Sequence, residues 1–142
     1  MTAAVRYDDV EVGTELPTAS LPIARVDLVR YAGASGDFNT IHWNQRFAES
    51  VGLPNVIAHG MLTMAAAARV ITDWAGDPGA VVEYGVRFTR PVVVPDDGTG
   101  ATLQVSAAVG AKLPERRVRV DVTVTSAGDK VLSMARAVVQ LG

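Results

Sequence analysis

"HGMLTMAAAARVITDWAGDP", residues 59–78, is the stretch on which the fold turns. Met61, Leu62, Met64, Ala65 to Ala68, Val70, Ile71, Trp74 and Ala75 are apolar, and only Thr63, Arg69, Thr72 and Asp73 interrupt them. A helix apolar around most of its circumference belongs in an interior. Gly76 and Pro78 supply the stop, because glycine accepts the left-handed cap conformation and proline cannot continue a helix. The small side chains of Ala65 to Ala68 read as close packing of this helix against a sheet.

The sheet is legible on the C-terminal side. In "VRVDVTVT", residues 118–125, Val118, Val120, Val122 and Val124 point one way while Arg119, Asp121, Thr123 and Thr125 point the other. "TLQVSAAV" (102–109), "VLSMARAVVQL" (131–141) and "AVVEYGVRFT" (80–89) favour strands, and "PVVVPDDGTGA" (91–101) reads as a turn-rich connection. On the N-terminal side, "ASLPIARV" (19–26) predicts a first strand and "DLVRYAGASG" (27–36) a short helix that opens near Asp27 and weakens at Gly33 and Gly36. "QRFAESVG" (45–52) predicts a second short helix, and the acidic "YDDVEVGTELP" (7–17) a surface lead-in. One buried helix and about five antiparallel strands, each with one apolar and one wet face, describe an α+β architecture with the sheet curled around the helix.

The whole chain of 142 residues suits one domain, 1–142, with a sizeable core. It is 49% hydrophobic and 20% charged with a net charge of −2, which excludes disorder and the basic footprint of a nucleic-acid binder. The absence of cysteine removes disulfides and thiolate metal sites. The opening "MTAAVRYDDVEVGTELP" holds no apolar run of the signal-peptide kind, and no stretch reaches the ~20 apolar residues of a membrane span. A cytoplasmic protein is expected.

The chemistry concentrates between the two short helices. "DFNTIHWN", residues 37–44, places Asp37 and His42 in one loop, and the chain has only one other histidine, His59. A carboxylate and an imidazole can form an acid–base pair whose pKa values are set by burial and by each other, or a merely structural hydrogen-bonded pair. His59 precedes Gly60 at the start of the apolar helix. Free amides at a helix N-terminus can bind a developing anion, and glycine permits close approach; the alternative is a plain cap or core histidine. No metalloprotease, phosphate-loop or nucleophile-elbow motif is present, and two histidines with scattered carboxylates do not define a metal site. Arg116, Arg117 and Arg119 read as a solvated strand face or as a docking patch for an acidic carrier protein.

Residues 31–48 resemble the signature of the MaoC-like hot-dog hydratases and dehydratases: Tyr31, Gly36, Asp37, Asn39, Ile41, His42 and Ala48 stand at its positions. "AHGM" (58–61) resembles the family's start of the central helix, and "YGVRFTRPVVVPDD" (84–97) its strand and turn. The resemblance covers nearly the whole chain and is most specific to the HadB-type catalytic subunits of actinobacterial (3R)-hydroxyacyl-thioester dehydratases. It implies reversible conversion of a (3R)-3-hydroxyacyl thioester, on acyl carrier protein or coenzyme A, into a trans-2-enoyl thioester and water, with no cofactor and no metal. His42 would act as base at C2, Asp37 would serve the departing hydroxyl, Asn39 would orient the pair or the water, and the backbone N–H of Gly60 would hold the oxyanion. Ala65 to Ala68 then acquire a second reading, as room for an acyl chain. The family also implies a dimer, a heterodimer with a hot-dog subunit lacking the dyad being favoured over a homodimer. Thr40 departs from the pattern, which has proline there. Two rival functions are a non-catalytic acyl-binding or scaffold subunit, against which the intact dyad speaks, and a hot-dog thioesterase, for which the helix offers only Asp73.

Overall fold

The structure, a computed structural model, describes residues 3–142. Met1 and Thr2, which begin the stretch read for a leader, lie outside the described residues. Strands β1 (Ala19–Ile23), β2 (Val81–Phe88), β3 (Ala101–Leu113), β4 (Arg117–Ser126) and β5 (Asp129–Gln140) form one antiparallel sheet in the order β1-β3-β4-β5-β2. The alternation in β4 sets its register: Val118, Val120, Val122 and Val124 are buried, and Val120 pairs with Val109 on one side and Ala137 on the other. β4 turns into β5 through Ala127 and Gly128, both at positive φ (51° and 82°), as a two-residue hairpin that matches strand twist requires.

The apolar stretch forms helix α3 (Gly60–Ala75), ended by Gly76 in the left-handed conformation. Thr63, Ala67, Val70, Ile71 and Ala75 face the sheet and are buried, so the sheet curls about one long helix as a hot-dog fold. Burial is one-sided, however. Met61 is 56% exposed, and Ala65 and Arg69 are also on the outer side. A single sheet layer covers one flank of a helix, so the apolar residues of the other flank keep partial access to solvent. Of the four alanines, only Ala67 is fully buried.

The surface lead-in is also corrected. Val10 and Leu16 are each 3% exposed and belong to the core. Their segment continues the sheet edge beyond β1: Gly13 N–H donates to the Val109 carbonyl at 2.7 Å and Leu16 N–H to that of Ala107 at 2.9 Å. Lys112 Nζ fastens it further by donating to the carbonyls of Tyr7 and Val10 at 2.9 and 2.8 Å. Its acidic residues point outward while its few apolar residues cover the far half of β3, which charge content alone obscured.

β1 is shorter than expected. It ends at Ile23, and helix α1 (Arg25–Ser35) begins at once because Asp27 Oδ2 accepts the Ala24 N–H at 2.8 Å. Arg25 then turns inward, donating from Nε to the Val94 carbonyl at 2.5 Å and from Nη2 to Asn55 Oδ1 at 2.6 Å. This guanidinium ties α1 to the two connections that flank the site described next. Helix α2 (Gln45–Ser50) starts where Asn44 Oδ1 accepts the Phe47 N–H at 3.0 Å.

Candidate active site

The loop between α1 and α2 is built from local side-chain caps. Gly36 closes α1 at φ 76°, and Asp37 follows with its N–H on Ser35 Oγ at 3.1 Å. Asp37 Oδ1 accepts the Asn39 N–H at 3.2 Å, and Asn39 Oδ1 in turn accepts the Ile41 N–H at 3.4 Å. A single 3-10 turn over Thr40–His42 results, and it swings His42 inward. Asn39 shapes this turn and does not line the cavity. Thr40 opens the turn, a position whose N–H has no partner within it, and Asn39 before it is extended at φ −55°, ψ 127°. Proline fits both conditions. Thr40→Pro will therefore keep the loop and raise stability by about 0.4–1 kcal/mol, chiefly by restricting the unfolded chain; thermal or urea unfolding measures this, and a loss of stability would show a different loop path.

His42 is buried at 7% exposure, and its Nδ1 lies 2.7 Å from the Ile57 carbonyl. A carbonyl only accepts, so Nδ1 carries the proton and Nε2 presents its lone pair. That lone pair is on the side of Asp37, whose Oδ2 lies 4.0 Å away on a half-exposed side chain. The separation is too long for a direct hydrogen bond and suits two groups that face one small molecule.

Ile57 is itself held in place. Its N–H donates to the Ile41 carbonyl at 3.2 Å, and it bridges to Val93 in the connection that follows β2. Ala58 N–H and Val94 N–H complete that lacing, on the carbonyls of Val92 and Val56, both at 2.9 Å. The partner that fixes the His42 tautomer thus comes from a segment distant in sequence.

His59 stands at the N-cap of α3, where its carbonyl accepts the Thr63 N–H at 3.1 Å, but its side chain caps nothing and its Nδ1 is buried without a partner among the described residues. Its ring stacks on that of His42, with centroids 3.8 Å apart and planes at 25°, and Tyr31 packs edge-on at 4.8 Å. Its Nε2 donates to the backbone carbonyl of Asp37 at 3.0 Å. Asp37, His42 and His59 offer ligand atoms within 4.8 Å of one another. Imidazole lone pairs lie in the ring plane, though, and two stacked rings do not converge on one ion, so the arrangement fits proton transfer better than a cation.

These residues wall a cavity of about 610 Å³ that Asp37, His42, Gly60, Thr63, Phe88 and Arg90 help to line. Gly60 is the first residue of α3, so its N–H is one of the helix's free donors, and a Cβ there would come within 3.0 Å of the Phe88 ring. Thr63, buried one helical turn further on, was not singled out from the sequence. Its only signal was being one of the few polar residues on an apolar helix. Ala65 to Ala68 are not in the cavity wall. Neither is Asp73, which borders a separate, smaller pocket with Arg69 and Trp74. Arg116, in the turn before β4, and Arg117 and Arg119 within it are paired locally: Arg116 with Asp8 at 3.0 Å, Arg117 with Glu115 at 3.4 Å and Arg119 with Asp121 at 2.9 Å.

Burial pushes the His42 imidazole below its ordinary value near 6.5, and the neighbouring His59 adds to this, against the opposing pull of the Ile57 carbonyl and the Asp37 carboxylate. The base form therefore survives to lower pH than in a free histidine. The acid limb of any activity that needs neutral His42 is expected below pH 6.5, in a kcat/KM profile. Stability follows the same sign. The unfolded imidazole takes its proton first, so stability falls as pH drops from about 6.5 toward the folded value. A limb above pH 7 would contradict the dominance of burial over the Ile57 and Asp37 contributions.

Comparison with known proteins identifies the family of the chain. Residues 9–127 match the family described as the MaoC like domain. The chain is 47% identical over 79 residues to 3-hydroxyacyl-thioester dehydratase X of Mycobacterium tuberculosis, covering 56% of this chain and 27% of that protein. It is 31% identical over 137 residues to the 3-hydroxybutyryl-CoA dehydratase of Methylorubrum extorquens, covering 95% and 83%. A solved MaoC-like dehydratase superposes with a TM-score of 0.94 at 40% identity, covering 99% of this chain and 44% of that one. The chain thus spans less than half of the first and third of these relatives. With the family match running from the lead-in through β4, and the loop, the central helix and the sheet all in place, the chain belongs to the MaoC-like family of hot-dog proteins.

Proposed function

We propose that this chain is a single hot-dog unit that dehydrates (3R)-3-hydroxyacyl thioesters to trans-2-enoyl thioesters and, in reverse, hydrates them. The observation that carries the reading is His42 Nε2 facing Asp37 Oδ2 across 4.0 Å at a cavity wall, with Nδ1 committed to the Ile57 carbonyl. The names of the relatives support the same reaction class.

In dehydration the thioester carbonyl accepts the Gly60 N–H at the start of α3, where the helix terminus favours the negative charge that grows on the oxygen. His42 Nε2 takes the C2 proton, the C–H electrons form the C2–C3 double bond, and the C3–O bond breaks. The departing hydroxyl receives a proton from the Asp37–His42 pair and leaves as water, so the pair ends with the proton count it began with. Asn39 acts by holding the turn that carries His42. No cofactor takes part, and the thioester is borne by coenzyme A or an acyl carrier protein. The experiment is direct: incubate the purified protein with trans-2-enoyl and (3R)-3-hydroxyacyl thioesters of several lengths and follow the enoyl absorbance. Failure on every one, with and without partner subunits, would overturn the reading.

The working unit is a dimer, with a dyad-lacking hot-dog partner favoured over a second copy. β2 is an edge of the sheet with one side unpaired, and Met61 and Phe88, both on the cavity wall, are 56% and 55% exposed. Unpaired edges and apolar walls of this kind call for cover. The matched dehydratase chain, of which this chain spans 44%, has length for a second such unit. Light scattering and activity of the chain alone, then co-expressed with a candidate partner, decide between them. A fully active homodimer that gains nothing from a partner would exclude the heterodimer, and an active monomer would exclude both. No helix among the described residues is long and apolar enough to cross a membrane.

A further inference from the structure

We infer that His59 is a positioning residue that sets the spacing of the Asp37–His42 pair from the start of α3. The inference rests on the proposed acid–base reading of that pair. Three contacts support it. The His59 Nε2–H donates to the Asp37 backbone carbonyl at 3.0 Å. The His59 ring lies flat against the His42 ring at 3.8 Å, and Tyr31 of α1 closes its other side at 4.8 Å. One side chain therefore touches both members of the pair without lining up with either reactive atom.

The choice of histidine is informative. His59 is 2% exposed, and its Nδ1 is buried with no hydrogen-bond partner among the described residues. A phenylalanine would fill the same space without stranding a polar atom, so packing alone does not explain an imidazole here. What phenylalanine lacks is the N–H at Nε2. Asp37 itself is half-exposed and otherwise held only by short-range caps from Ser35 and Asn39. Among the described residues, the bond from His59 is its one long-range anchor, across 22 residues of sequence. Because Gly60 follows His59 directly, the same backbone also places the amide proposed for the oxyanion. Loop and helix terminus are thereby referenced to one point, which is what a reaction sensitive to displacements on the order of 1 Å requires.

Two variants separate positioning from packing. His59→Phe keeps a flat ring and removes the donor; His59→Gln keeps a donor of similar reach and removes the ring. Amide hydrogen exchange is measured over residues 37–42 in the whole protein, together with kcat and KM on an active enoyl thioester. Exchange in the loop is expected to quicken in His59→Phe, with kcat lowered by about 10²-fold and KM nearly unchanged. His59→Gln is expected to recover part of the loop protection and of kcat. If His59→Phe leaves loop exchange as in the native protein, or loses activity only in proportion to its unfolded fraction, the inference is overturned. Loop exchange is read without any reaction, so it distinguishes this failure from a failure of the dehydratase reading, which inactive native protein would reveal.

Discussion

Asp37→Asn and His42→Ala will each lower turnover of a (3R)-3-hydroxyacyl thioester by about 10²–10⁴-fold, the usual contribution of a positioned acid or base. The two substitutions test different halves of one device. Asparagine at 37 keeps an oxygen for the Asn39 N–H and leaves the backbone carbonyl free for His59, so the loop is retained while the carboxylate is lost. Alanine at 42 removes the lone pair at Nε2 and leaves the Ile57 carbonyl without its donor, so a modest fall in stability will accompany the loss of rate. The double variant should be little slower than either single one, because groups that act as a unit do not contribute additively. Steady-state kinetics beside a thermal melt of each variant settle the matter. Near-native turnover in a folded single variant would remove the pair from the mechanism.

Gly100→Ala should be the most damaging small substitution outside the site. Gly100 sits at φ +72°, and a Cβ there would overlap the carbonyl oxygen of Ile23 and lie 3.1 Å from Ala24 Cα. Both obstacles are backbone and cannot rotate aside. Left-handed strain and steric overlap together predict a loss of about 2–4 kcal/mol, or roughly 6–15 °C in Tm for a chain of this length. Gly98 is the control: its φ is +80°, but nothing lies within 4 Å of a Cβ there. Gly98→Ala should therefore cost only the strain, about 1–2 kcal/mol. Equal melting temperatures for the two variants would show that the close approach to Ile23 does not matter. The prediction bears on function because the connection from 91 to 100 carries Val92, Val93 and Val94, which lace Ile57 and Ala58 into place behind His42.

Some of this was legible in the residues themselves. The clean alternation over 118–125 assigned β4 and its buried face, since a pleated strand turns successive side chains to opposite sides. The apolar run closed by Gly76 and Pro78 marked α3, and Asp37 with His42 in a short polar loop marked the candidate site. These are local properties, set by periodicity, capping and side-chain chemistry within a few residues. The lead-in was misjudged for the complementary reason. Its acidity is local, but Val10 and Leu16 are buried only because β3 outruns β1 and leaves an edge to cover.

What the tertiary structure alone decided is where distant segments meet. Nothing near His42 in the chain says which of its nitrogens holds the proton; Ile57, fifteen residues on, makes that choice through a backbone carbonyl. Nothing near His59 says that it stacks on His42 and holds the carbonyl of Asp37. Nothing in the arginine-rich segment says that each cation finds its own carboxylate. Nor does the apolar character of α3 say which flank the sheet leaves open. Sequence determines the elements because their energetics are short-ranged. The site depends on contacts that exist only after the chain has closed on itself, and so it was decided by the fold.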